Sequence, residues 1–276
     1  MSNSYHVDSF EAENKRLEQG SETLRAYMNG NVFLAPIDTA RSNLRVLDSA
    51  ASNGYWLSQI QAALKDSASA TLIGTDLQNR FPDPPRQGIS LRIQNINAPW
   101  PEEWKGSFDY VHQALVLFQA GTKQREAVAA IGELVKPGGW IELMEPEYEK
   151  KDGDGKAFGE FQDMMAELWG MRGVKSDFAK GVEGLVKQAG FVDVREELLP
   201  VGIGPMHKDP KMREVSVEST VGGGRNIVTA EKLIPGGLRS ISKEDFKTWP
   251  DRFEKELRTE GAIFHMRVVY GRKPEA

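Results

Sequence analysis

Two carboxylates and the short turn between them are the first residues in this chain able to do chemistry. Asp48 ends the apolar run LRVLD, and Asp76, 28 residues later, ends TLIGTD. Between them Ser49-Ala50-Ala51-Ser52-Asn53-Gly54 forms a turn of small residues, after which Trp56, Leu57, Ile60 and Leu64 carry helical spacing. Strand, small-residue turn, helix and an acid ending the next strand is the layout with which an open α/β sheet binds a nucleoside. Small residues let the backbone approach the ligand, and the second acid accepts hydrogen bonds from ribose hydroxyls. Two further titratable groups close later apolar runs, His112 in FDYVHQ and Glu145 in WIELMEP, and His207 lies in the less regular second half. All three are candidate bases for a nucleophile that must shed a proton. Each of these residues also has a plainer reading: Asp48 as an acid offsetting a helix dipole, Asp76 as a turn residue, His112 as a core histidine, Glu145 as a surface acid.

The first carboxylate limits what the turn can hold. A dinucleotide turn carries G-x-G-x-x-G and seats a pyrophosphate on a helix N-terminus. This turn supplies only Gly54 and begins with an acid that would repel phosphate. The same acid attracts a cationic aminoacyl group, so the electrostatics favour a positively charged nucleoside such as S-adenosylmethionine over NAD.

The elements that must position these residues alternate between strand and helix. Residues 8 to 29 read as a helix with Leu17, Leu24, Tyr27 and Met28 on one face and Gly30 at its end. Strands follow at Leu44 to Leu47, TLIGTD, SLRIQNI, FDYVHQALVLF and, after a KPGG turn, WIELMEP; a helix carrying Val128, Ile131, Leu134 and Val135 precedes that turn. Such alternation argues for a parallel sheet covered on both faces. In the second half, residues 155 to 172 form a helix rich in Phe, Met and Trp that is better read as core than as pocket. A helix through Phe178, Val182, Leu185 and Val186 leads into the strand FVDVREELLPVGIG. Gly222–Gly224 reads as a flexible loop, because no Lys-Ser/Thr follows it to make a phosphate loop. Ser242 and Asp245 make a capping-box pattern for a helix whose inner face is Phe246, Trp249, Phe253 and Leu257, and AIFHMRVVYGRK is the last strand.

Composition excludes several function classes. The chain has 276 residues, 35 Lys+Arg against 40 Asp+Glu, and a formal charge of −5, which makes it a poor candidate for sequence-independent nucleic-acid binding. Cysteine is absent, so there is no disulfide, thiolate metal site or cysteine nucleophile. His6, His207 and His265 share no metal-ligand spacing, and no metal is assigned. No apolar run approaches the roughly 18 residues of a membrane helix. The polar, acidic start is neither a secretory signal nor a transit peptide, which leaves a cytoplasmic protein with a small-molecule partner as the expectation. Oligomeric state is not legible.

VLDSAASNGYW, IGTDL, FDYVHQ and LVKPGGWIELMEPE stand in order over roughly residues 31 to 150, and together they resemble the motifs of class I S-adenosylmethionine-dependent methyltransferases. With FLAPIDTARSNLRVLD and INAPWPEEWKGSFDYVH, the chain resembles the fungal LaeA/TdiE-like secondary-metabolite methyltransferases. The resemblance implies a Rossmann-like, doubly wound α/β sheet of seven strands whose last strand, 262–272, is antiparallel. It also implies one methyltransferase domain over 1–276, with an N-terminal helical cap (1–43), a cofactor-binding core (44–150) and inserted substrate-side helices and final strands (151–276). The cofactor would be S-adenosylmethionine and the product S-adenosylhomocysteine. By position, Asp48 and the turn Ala50, Ser52 and Gly54 would hold the methionine end, and Asp76 the ribose. Leu77 would lie beside the adenine, Asn95 and Ile96 at its edge, and His112 with Gln113 along the cofactor. His112 and Glu145 remain the candidate catalytic bases.

Ala50 and Ser52 depart from the family's acid-x-G-x-G-x-G pattern, and Asn95 stands where many relatives carry aspartate. The substituted glycines keep two other readings open: a methyltransferase-like regulatory partner, and a cyclase that uses the bound cofactor as a fixed charge. An NAD-dependent oxidoreductase is weakened by the broken dinucleotide pattern.

Overall fold

The computed structural model describes residues 9–79 and 81–275; His6 and Asp8, the first residue of the expected N-terminal helix, fall outside them. In chain order the elements are α1 (Phe10–Tyr27), β1 (Arg45–Ser49), α2 (Tyr55–Ala63), β2 (Thr71–Asp76), β3 (Ile89–Ile93), β4 (Phe108–Ala114), α3 (Gln124–Gly132), β5 (Val135–Glu147), α4 (Lys156–Gly170), α5 (Val182–Gln188), β6 (Val192–Ile203), α6 (Arg213–Glu231), α7 (Lys243–Thr259) and β7 (Ala262–Arg272). The chain folds into two compact units, one drawn from 31–146, 178–199 and 266–276, the other from 1–30, 147–177 and 200–265.

The first unit is built on a seven-stranded sheet in the order β3-β2-β1-β4-β5-β7-β6, with β7 antiparallel as expected. β1 pairs in parallel with β2 on one side and β4 on the other, so the strand order reverses between β1 and β4. Ligands of open α/β sheets sit beyond the carboxyl ends of the strands at such a reversal. Val46 on β1, Leu57 and Ile60 on α2, Leu72 on β2 and Tyr110 on β4 form one buried cluster that fixes α2 against the sheet.

Three local expectations differ from the structure. β4 stops at Ala114 instead of continuing through ALVLF: Leu115 is left-handed (φ 59°), and the next two amides bond to a buried side chain, not to a neighbouring strand. KPGG does not separate a turn from a strand but lies inside β5 as a bulge, where pairing jumps from Phe108–Val135 to Tyr110–Trp140. β3 ends at Ile93, so Asn95 and Ile96 lie in the loop beyond it.

The second unit is largely helical. The glycines at 222–224 do not form a loop; α6 runs straight through them. Close packing explains it: a Cβ at Gly222 would lie 2.8 Å from Arg16 Cδ, and one at Gly224 would lie 3.0 Å from both Phe253 and Trp249. α6 therefore approaches α1 and α7 more closely than side chains would allow. The aromatic segment at 156–170 is core, with Phe158, Phe161, Met164 and Trp169 buried and Phe161 stacked on Phe253 of α7 at 5.1 Å. The Ser242 hydroxyl accepts the Asp245 N–H at 3.0 Å, which is the capping contact expected for α7.

Candidate functional site

The turn after β1 keeps a glycine-like backbone without the glycines. Ala50 (φ 66°), Ser52 (φ 51°) and Gly54 (φ 75°) are all left-handed, in alternation, at the three positions where the family pattern places glycine. A left-handed conformation costs a residue with a Cβ about 1–2 kcal/mol, so neighbouring contacts must hold this shape. Asp76 supplies one of them: its Oδ2 accepts the Ser52 N–H at 3.0 Å, and its Oδ1 accepts the Gln78 N–H at 3.0 Å. Ala51 N–H donates to Thr75 O of β2 at 2.7 Å, and Gly54 N–H closes the turn onto Ala51 O at 2.8 Å. Arg86 donates to Asn53 O at 3.0 Å from the far side. The turn that sequence proposed as a cofactor cradle is thus tied to the second strand's acid directly.

Asp48 and His112 face one another across β1 and β4, Asp48 Oδ1 lying 2.8 Å from His112 Nδ1. The same register continues to β5, where Glu142 stands opposite His112. The Trp56 indole lies flat on the imidazole, ring centres 3.8 Å apart and planes 7° apart, and its Nε1–H donates to Val32 O at 3.0 Å. Glu142 Oε2 accepts the backbone N–H groups of Leu34 and Ala35 at 2.8 and 2.7 Å. Asp48, His112 and Glu142 are all buried. Burial pushes both carboxyls above the ordinary carboxylate range, and the imidazole pulls back on each.

Glu145 lies on the same strand three residues on. Its Oε1 accepts from Val116 and Leu117 N–H at 3.0 and 2.7 Å, shaping the loop after β4, while Oε2 is buried without a hydrogen-bond partner. Burial raises its carboxyl to about 8.

The other expected site residues fall around this centre unevenly. Gln113 is buried, with its Oε1 accepting the Ser49 hydroxyl at 3.1 Å. Leu77 remains 41% exposed just past β2. Asn95 uses its side-chain oxygen on the N–H of Asn97 at 2.9 Å, a local turn contact, so that oxygen already has a donor. His207 belongs to the other unit, where it is buried with its ring nitrogens at backbone atoms of Asp209 and Thr23, which fits a structural histidine.

Sequence reading missed three contributors. Trp56 was legible only as a helix-face residue, and Ile93, 56% exposed beside Asp76 in the β2–β3 register, only as a strand residue. Glu142 carried a usable signal, a lone acid inside the apolar run WIELM.

No model of a known protein family matches the chain. It is 31% identical to N-methyltransferase gliN of Aspergillus fumigatus over 99% of this chain and 97% of that protein. It is 32% identical to N-methyltransferase sirN of Leptosphaeria maculans over 98% and 95%. Phosphoethanolamine N-methyltransferase 2 of Haemonchus contortus, solved with S-adenosylhomocysteine, shares the fold (TM-score 0.53, 14% identity), and this chain spans 98% of its own length and 61% of that longer chain. A reversal-point turn flanked by two acids, on a sheet of this order, together with these relatives, shows that the chain belongs to the class I S-adenosylmethionine-dependent methyltransferases, in the family of its fungal relatives gliN and sirN.

Proposed function

We propose that this protein methylates a nitrogen atom of a small molecule, a fungal secondary metabolite, with S-adenosylmethionine bound at the turn between Asp48 and Asp76. The observation that carries the reading is the alternating left-handed turn at residues 50–54, pinned by Asp76 and opened by Asp48. It fits a cationic nucleoside: a close-approach backbone, a carboxylate for the ammonium end, a second carboxylate for the ribose, and the exposed apolar side chains Leu77 and Ile93 for the base. Ala50, Ser52 and Gly54 would hold the methionine end with Asp48. Asn95 and Ile96 would border the base, and His112 with Gln113 the rest of the cofactor. The nitrogen acceptor is taken from the relatives' names.

The bound cofactor supplies a methyl group already activated as a sulfonium. The chain's task is then alignment, worth about 7–11 kcal/mol of a barrier when reactants are held in near-attack geometry. His112 and Glu145 differ as bases. Each keeps one buried atom without a partner, His112 Nε2 and Glu145 Oε2, but the imidazole is covered by Trp56 and bonded to Asp48. We assign Glu145, whose carboxyl ionises at about 8, to receive the acceptor's N–H proton in its deprotonated form, and His112 to a supporting role. The whole chain acts as one catalytic domain in the cytoplasm, a location that suits a protein without cysteine. Among the described residues, no helix is long and apolar enough to cross a membrane.

The test is incubation with methyl-labelled S-adenosylmethionine and a panel of small nitrogen-containing acceptors, read by mass spectrometry. Labelled N-methyl product with stoichiometric S-adenosylhomocysteine supports the reading. Cofactor binding without consumption across the panel would favour a repurposed fold, a regulatory partner or a cyclase.

A further inference from the structure

Among the described residues, Asp48 makes its side-chain hydrogen bond through Oδ1 alone, to His112 Nδ1 at 2.8 Å. A carboxylate this deeply buried needs a donor to hold its orientation and its charge. His112 can supply both only if the imidazole itself cannot turn. Its surroundings meet that condition: Trp56 lies on its face at 3.8 Å, and Trp56 is fixed by its bond to Val32 O. Residues 34 and 35 are held by Glu142, the residue opposite His112 on β5.

We infer that His112 is a positioning residue for cofactor selectivity: held by Trp56, it orients Asp48 so that the other carboxylate oxygen discriminates for the α-ammonium of the cofactor's amino-acid end. The inference rests on the assignment of Asp48 to that end of S-adenosylmethionine. Burial and the negative charge of Asp76 on β2 both push Asp48 toward its neutral form, and His112 opposes them. The other titratable groups facing this cluster are Tyr110 on β4 and Glu142 on β5, neither of which brings a positive charge. Without His112, the Asp48 side chain is free to turn and to take up a proton. A neutral carboxyl hydrogen-bonds an ammonium far less strongly than a carboxylate does.

The test compares calorimetric affinities for S-adenosylhomocysteine and for its desamino analogue, which lacks only the α-ammonium. The wild type is expected to prefer the amino form by about 10- to 100-fold, the usual worth of a charge-assisted hydrogen bond. In His112→Leu that preference should shrink to about threefold or less, the amino form losing more affinity than the desamino form. His112→Asn, whose amide can still donate to Asp48, should recover much of it. If His112→Leu does not fold, Trp56→Leu removes the clamp instead and should narrow the preference in the same direction. An unaltered preference in the folded variants would overturn the inference, as would an equal loss for both ligands, which marks a merely structural role. If the wild type binds neither ligand, the cofactor assignment itself fails and the inference falls with it. Wild-type binding with an unmoved preference sinks the inference alone.

Discussion

Ser52 donates its backbone N–H to the Asp76 carboxylate at 3.0 Å, joining the turn after the first strand to the acid that ends the second. Asp76 is therefore both a candidate ribose ligand and the support of the turn that would hold the methionine end. A carboxylate has about four lone-pair sites, more than these two backbone bonds occupy. Asp76→Ala cannot be a silent change to the fold, because it leaves two N–H groups without their acceptor. We expect it to cost about 2–4 kcal/mol of stability and to weaken S-adenosylhomocysteine binding by at least about tenfold. Asp76→Asn, keeping one carbonyl oxygen, should lose less of both. Denaturant unfolding and calorimetry on the two variants read these separately; equal stability of Asp76→Ala and wild type would remove the turn-pinning role.

Ala50 offers a test of the turn's conformation. Its left-handed backbone (φ 66°) costs about 1–2 kcal/mol, and glycine escapes that cost while adding unfolded-state entropy. Ala50→Gly should gain about 0.5–1 kcal/mol net, whereas Ala50→Val, with a branched side chain at the same φ, should lose stability. A destabilised glycine variant would show that the left-handed assignment is wrong.

Much of this architecture was legible in the sequence because it rests on patterns that local chemistry dictates. The strands ending in Asp48 and Asp76 are apolar runs closed by acids, and the Ser242 cap needs only a hydroxyl with an acid three residues on. What escaped reading depends on partners far along the chain. FDYVHQALVLF gives no sign that β4 ends at Ala114, because the cause is Glu145 capturing two amides from another strand. Gly222–Gly224 reads as a loop because glycine is a poor helix former; only the presence of Arg16, Trp249 and Phe253 against α6 shows why a helix keeps it. The Trp56–His112 stack likewise joins residues 56 apart that no periodicity connects.

The three glycines of α6 should separate by environment. Gly223 faces open space, and Gly223→Ala should stabilise by about 0.5–1 kcal/mol through helix propensity. A side chain at Gly224 meets Phe253 and Trp249 at 3.0 Å, and Gly224→Val should cost about 1–3 kcal/mol. Thermal melts of the pair decide it; equal effects would contradict close packing at this helix.

Glu145 links stability to pH. Its carboxyl titrates at about 8 in the folded chain against an ordinary value of 4.5, so between those values the native state holds a proton that the unfolded chain has released. Stability must then fall as pH rises from about 5 to about 8, and level off above. Glu145→Gln cannot titrate, so its melting temperature should gain on the wild type across that window by a few degrees. A pH-independent difference between the two would place the carboxyl back in its ordinary range. The same variant should also slow transfer to any acceptor that must lose an N–H proton.

The most direct measurement is a calorimetric titration of the wild-type protein with S-adenosylmethionine, S-adenosylhomocysteine and NAD, repeated on Asp48→Asn. Micromolar binding of the first two, none of NAD, and a loss of about tenfold or more in the variant is the expected result. NAD binding, or unchanged affinity without the Asp48 charge, would contradict the placement of a cationic cofactor at this turn.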